Sequence, residues 1–284
     1  MIFAMSKSFA IAKRLPKQFQ ARPLREASTI KYESLLLACY IRMSRNKRVV
    51  RSMQNNFGAT TTQPVCINIA SMSTAAYGGE PGDGTKGVKS LTYIPYSTKL
   101  PDGTDVALDT FRSEEEYQVG MDLMNLIIRE GRTWPFEKEF ENLESYKGYF
   151  LSHAAFVVRD VQQNIVLGCF YVKPNFPGRC SHICNGGFIT SPSYRNRGVA
   201  TLMGSAFLQI AKDLQYKSAY FNLVFKSNTA SVYLWEKKLG FQRVAILEKA
   251  GRLKGLDHLD TAYGYRFDLE TLDRNYLFQT KSKK

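Results

Sequence analysis

The sequence predicts an α/β fold, a mixed and largely antiparallel sheet flanked by helices, and three observations carry that expectation. A helical pattern comes first, with apolar residues Met121, Leu123, Met124, Leu126 and Ile127 at turn spacing. Two β-prone runs, 154–158 and 165–172, then enclose a short polar turn at 160–164, the signature of an antiparallel pair. A strand–turn–helix–strand series over 185–225 comes last.

Taken in order, residues 91–96 and 106–111 read as strands, the second preceded by a turn at Pro101, Asp102 and Gly103. Ser113 with Glu114, Glu115 and Glu116 reads as a capping-box start for the first helix, which Gly131 stops. Thr133, Trp134, Pro135 and Phe136 form a rigid aromatic elbow, and Pro174 and Pro177 end the strand at 165–172. Beyond a strand ending near Thr190, Val199, Leu202, Met203, Ala206, Phe207, Ile210 and Leu214 share one face of a helix. Residues 218–225 are a buried strand by composition, and a helix through Val232, Trp235 and Leu239 leads to Gly240 and Phe241.

The chain of 284 residues carries a net charge of +14, and where that charge sits decides what it means. Residues 1–56 hold twelve Lys and Arg against Glu26 and Glu33, and Lys281, Lys283 and Lys284 close the chain. The rest is nearly neutral, which argues against a nucleic-acid groove on the folded domain. Rich in Arg, Ser and Ala, residues 1–56 have the composition of a mitochondrial transit peptide; the alternatives are a basic leader on a cytoplasmic protein or a later start at Met43, Met53 or Met72. Residues 57–89 read as a flexible glycine-bearing linker, leaving 90–284 as the folded domain. Five cysteines at irregular spacing do not form a disulfide framework and point to a reducing compartment. No apolar run is long enough for a membrane helix.

The chemistry centres on Arg195, Asn196, Arg197, Gly198, Val199 and Ala200. A glycine-bearing turn that opens a helix leaves the first backbone N–H groups without intrahelical partners, at the positive end of the dipole. Such a turn holds phosphate or pyrophosphate; the alternative is an ordinary basic turn. Cys180, His182 and Cys184 alternate as on one strand face, but three ligands without a fourth make a poor structural metal site, and no metal is expected.

Arg195-x-x-Gly198-x-Ala200 between strand and helix resembles the acetyl-CoA pyrophosphate loop of the GNAT acyltransferase superfamily. Asn228-x-x-Ser231-x-x-x-Trp235 with trailing Gly240-Phe241 is similar to its second signature. Two departures stand out: Trp235 occupies the place of a general-acid Tyr, and one extra residue falls at Lys237-Lys238. Gly168 to Asn175, Arg179 to His182, Cys184-Asn185, Tyr220 to Phe225, Asn228, Phe241 to Arg243 and Ala250 to Gly255 resemble the fungal acetyltransferases of L-azetidine-2-carboxylate and other proline analogues. That resemblance implies a GNAT fold, acetyl-CoA as co-substrate without a metal, a small amino- or imino-acid partner, protection against toxic analogues, and a homodimer. By position it implies that Asn185 holds the substrate carboxylate with the backbone amides of Asn222 and Leu223. Phe188 and Ile189 would meet the acetyl-CoA arm, residues 195–200 its pyrophosphate, and Asn228 its sulfur. Neutral amides would then orient the carboxylate without a buried cation. The residues alone leave alternatives: Asn228 as a helix cap, Asn185 at a β-bulge, and Glu130, His182 or water as proton acceptor. A peptide acetyltransferase and a non-catalytic acyl-CoA-binding module are the competing functions, with nucleic-acid binding by the leader a further one.

Overall fold

The structure, a computed structural model, describes residues 79–279. The expected leader over 1–56 and the expected linker up to residue 78 lie outside the described residues. Eight strands form one sheet: β1 (Tyr96–Lys99), β2 (Asp105–Asp109), β3 (Ala154–Asp160), β4 (Val166–Pro174), β5 (Ile183–Thr190), β6 (Ser218–Phe225), β7 (Gln242–Gly251) and β8 (Asp260–Asp268). They lie side by side in chain order except that β8 separates β6 from β7. Every neighbouring pair is antiparallel apart from β5 and β6.

Alternation along the central strands builds two cores. Ala154, Phe156 and Val158 join Phe170 and Val172 under α3 (Val199–Asp213). Ala155 and Val157 join Cys169 and Tyr171 under α1 (Glu114–Glu130) and α2 (Leu143–Phe150). The first helix starts where the sequence places it, with the Ser113 side chain accepting from Glu116 N at 3.4 Å and Gly131 closing it at φ 66. The box is incomplete, because the Glu116 carboxylate accepts from Arg112 N and from buried Arg159 instead.

Three expectations about the path are corrected. Residues 91–95 curl rather than extend, with Leu91 N donating to Val88 O and Ile94 N to Leu91 O, so that Leu91 fills the core and the strand begins only at Tyr96. Residues 79–89 of the expected linker pack on the sheet: Gly84 N donates to Leu151 O at 3.0 Å, Gly84 O accepts from Ala155 N at 2.8 Å, and Thr85 bridges to Ala154. A Cβ on Gly82 would lie 2.5 Å from Leu151 O, so close approach explains that glycine better than flexibility does. Cys180 and His182 precede β5 rather than alternating along it; Cys180 is exposed while Cys184 is buried, and the described residues contain no metal-holding group.

Candidate active site

Strands β5 and β6 pair in parallel only at Ile183↔Ser218 and Cys184↔Ala219. Beyond that point β4 keeps hold of β5, β8 keeps hold of β6, and the two strands part. The gap is a cleft of about 1000 Å³ that opens the sheet at its centre. Its lining includes Asn185, Phe188, Ile189, Arg195, Asn196, Gly198, Ala200, Asn222, Leu223 and Asn228, which are most of the residues singled out from sequence.

At one end stands the start of α3. Asn196 (φ 63) and Gly198 (φ 92) are both left-handed, which turns the chain sharply into the helix. No side chain caps the first amides and no acid lies in the first turn, so the N-terminus is chemically ready for an anion. Backbone and packing both require Gly198: its φ is left-handed, and a Cβ there would meet Pro101 Cδ at 2.7 Å. Arg195 lines the cleft with Nη2 at 3.0 Å from both Glu130 carboxylate oxygens. Arg197 and Val199 do not. Arg197 turns to Asp102 (2.6 Å) and Thr104 (3.0 Å), and Val199 lies in the core.

At the centre, the β6–β8 register breaks between Phe221 and Val224, lifting Asn222 and Leu223 out of the ladder beside the cleft. A reciprocal amide pair, Asn175 Nδ2 to Asn222 Oδ1 at 3.0 Å and Asn222 Nδ2 to Asn175 Oδ1 at 2.7 Å, supports that bulge. The Asn222 side chain is therefore committed to Asn175, which leaves the backbone as what Asn222 can offer a ligand. Asn185 Oδ1 accepts from Gly186 N at 2.8 Å, which leaves its Nδ2 as the donor on offer. Asn228 does cap its helix, α4 (Thr229–Tyr233): Oδ1 accepts from Ser231 N at 3.2 Å, and Nδ2 has no partner among the described residues.

The extra residue at Lys237-Lys238 is absorbed as a π turn over Leu234–Lys238, with Leu239 N donating to Leu234 O. That wide turn keeps Trp235 against Phe188 and Phe221, each ring centroid 4.8 Å away, as a core residue rather than an acid. It also leaves Tyr233, 57% exposed, on the cleft lining, a phenol the sequence reading did not assign. His182 is exposed and outside the lining. Glu130 is on it, but held by Arg195.

The other end of the cleft is aromatic. Trp134, Tyr149 and Tyr171 line it, and Gly187 admits them, since a Cβ there would lie 2.5 Å from Trp134 Cη2. Residues 253–256 cross from β7 toward the end of α1: Lys254 N donates to Gly131 O at 2.9 Å and Lys254 Nζ to Arg129 O at 2.8 Å. Behind the two tyrosines sits Lys173, fully buried, its Nζ donating to Tyr149 O at 2.8 Å and lying 4.2 and 4.4 Å from the Tyr149 and Tyr171 ring centroids. Burial pulls its pKa down to about 7. A buried lysine beside the site is the reverse of the expectation from neutral amides; the one signal was a lysine between the apolar run 166–172 and Pro174.

Residues 121–241 match the family model described as Acetyltransferase (GNAT) family. That stretch is a GNAT-family acetyltransferase domain. The GNAT domain is 49% identical over 108 residues to N-acetyltransferase aca1 of Schizosaccharomyces pombe, a match covering 38% of this chain and 51% of that protein. It is 34% identical over 91 residues to Protein SPT10 of Saccharomyces cerevisiae, covering 32% of this chain and 14% of that one. The chain thus spans about half, or less, of the length of the curated relatives it matches. Among solved structures, a GCN5-related N-acetyltransferase from Kribbella flavida shares the fold at TM-score 0.53 and 20% identity, over 57% of this chain and 97% of its own. The yncA protein of Salmonella typhimurium, solved with its cofactor acetyl-CoA, does so at TM-score 0.50 and 12% identity, over 59% and 96%. The expected GNAT fold is the observed one. No described helix is long and apolar enough to cross a membrane.

Proposed function

We propose that the domain transfers an acetyl group from acetyl-CoA to the nitrogen of a small, proline-like amino or imino acid, such as azetidine-2-carboxylate or cis-4-hydroxyproline. One observation carries the reading: the parting of β5 from β6 puts the uncapped start of α3, the amide of Asn228 and the bulged backbone of Asn222 and Leu223 on one cleft. In that order they suit a pyrophosphate, a thioester sulfur and a carboxylate.

The chemistry is a direct transfer. The uncharged acceptor nitrogen attacks the thioester carbonyl carbon, the C–S bond breaks as the C–N bond forms, and the nitrogen's proton leaves while CoA departs as thiolate and is protonated to the thiol. Asn228 Nδ2 donates toward the sulfur and stabilises its growing negative charge. Asn185 Nδ2 and the backbone N–H groups of Asn222 and Leu223 orient the acceptor carboxylate. Residues 253–256, tied to Gly131, border the acceptor end and favour a small acceptor over an extended peptide. Incubating the full chain with acetyl-CoA and azetidine-2-carboxylate should release free thiol. Thiol release with a peptide amine, and none with proline-like acids, would replace this reading by peptide acetylation; CoA binding with no turnover of either would favour a non-catalytic module.

A further inference from the structure

Lys173 is a buried amine whose protonated form has no counter-charge within the domain's described residues. It is fully buried on β4, and no carboxylate among the described residues pairs with it. Its contacts are the Tyr149 carbonyl and the faces of Tyr149 and Tyr171. His153, on the turn entering β3, adds no negative charge there, because it is pushed down by burial and then by the positive charges of Lys86 and Lys173. Removing an ammonium from water without a partner is costly, so an arrangement that keeps one invites an anion from elsewhere.

The geometry indicates where that anion would sit. Lys173 and Asn185 are directly opposed across the β4–β5 antiparallel ladder, so both side chains leave the same face of the sheet. Asn185 lines the cleft, and so do Tyr149 and Tyr171, whose rings form the wall in front of the ammonium. The two tyrosine hydroxyls lie 3.2 Å apart, which fixes the wall as a unit. An aromatic wall of low dielectric constant screens the field of a charge behind it far less than water does.

We propose that Lys173 is a specificity-determining residue that selects acceptors bearing a carboxylate, by supplying a buried positive charge behind the amides of Asn185, Asn222 and Leu223. The inference rests on the acetyl-transfer reading above and extends it: amides fix the direction of the carboxylate, and Lys173 makes an anion, rather than its neutral isostere, the preferred occupant. It also supplies a reason for the two tyrosines, which hold the ammonium by their ring faces and keep water from it.

The test is a paired kinetic measurement on the full chain, wild type against Lys173→Met, with azetidine-2-carboxylate and its carboxamide as acceptors. For the carboxylate, Lys173→Met should raise KM roughly tenfold or more, while KM for the carboxamide and for acetyl-CoA stays within about twofold. Equal losses on both acceptors would reduce Lys173 to a packing residue and overturn the proposal, as would an unchanged carboxylate KM. Acetyl-CoA binding by the variant, followed by calorimetry, guards against misfolding, and Lys173→Arg should recover part of the preference if it folds. Wild-type protein that releases no thiol with either acceptor would instead remove the transfer reading, and this inference with it.

Discussion

Replacing Lys173 with Met should make the protein more stable in acid and change it least in alkali. In the unfolded chain Lys173 keeps its proton to the ordinary value of 10.5, and in the folded chain only to about 7. Between those two values the unfolded state binds more protons, so wild-type stability climbs with pH; below pH 7 the whole cost is present, and above 10.5 it is gone. The fall from 10.5 to about 7 corresponds to roughly 5 kcal/mol. Attraction to the two ring faces, up to ~2 kcal/mol where desolvated, opposes it, so a difference of at least ~2 kcal/mol between pH 6 and pH 10 is expected. His153, lowered to about 4 mainly by burial, is neutral throughout that window, so the difference reports chiefly on Lys173. Urea unfolding followed by tryptophan fluorescence across pH 6–10 measures it, because Trp134 and Trp235 both sit in the folded cores. A constant offset between the two stability curves would refute the reasoning.

Three further outcomes follow from the cleft. Asn228→Asp keeps the cap acceptor for Ser231 N but removes the amide donor, so kcat should fall roughly 10²-fold with the unfolding midpoint nearly unchanged; Asn228→Ala should in addition lose about 1 kcal/mol of stability. Gly198→Ala puts a Cβ at 2.7 Å from Pro101 Cδ in a left-handed residue, and should cost about 1–3 kcal/mol and weaken acetyl-CoA binding in calorimetry; unaltered binding would show that the turn into α3 tolerates rearrangement. Asn175→Leu strands the Asn222 amide and should destabilise the protein by about 1–3 kcal/mol, with KM rising for the acceptor and holding for acetyl-CoA; a rise in both would mean the bulge at Asn222 supports the whole cleft.

Much of this was written in local pattern. Ser113, Gly131, Pro174 and the apolar stripe of α3 each act through their own neighbours, so the helix ends and central strands could be read from short windows. Errors fell where a distant segment decided the conformation. Residues 91–95 are β-prone, yet turn hydrogen bonds and the burial of Leu91 curl them. Residues 79–89 have a linker's composition, yet Leu151 and Ala155 supply backbone partners and the glycines permit the approach.

The cleft divides in the same way. Sequence alone determined the start of α3, the cap at Asn228 and the residues 185–200, because motif spacing along one chain encodes a turn and its free amides. Tertiary structure decided the rest. It turned Arg197 toward Asp102, paired Asn222 with Asn175, absorbed an extra residue as a π turn that keeps Trp235 buried, and set Lys173 behind two tyrosines from different elements. Most of these depend on contacts between residues far apart in the chain, and only the assembled sheet with its parted strands brings them within reach.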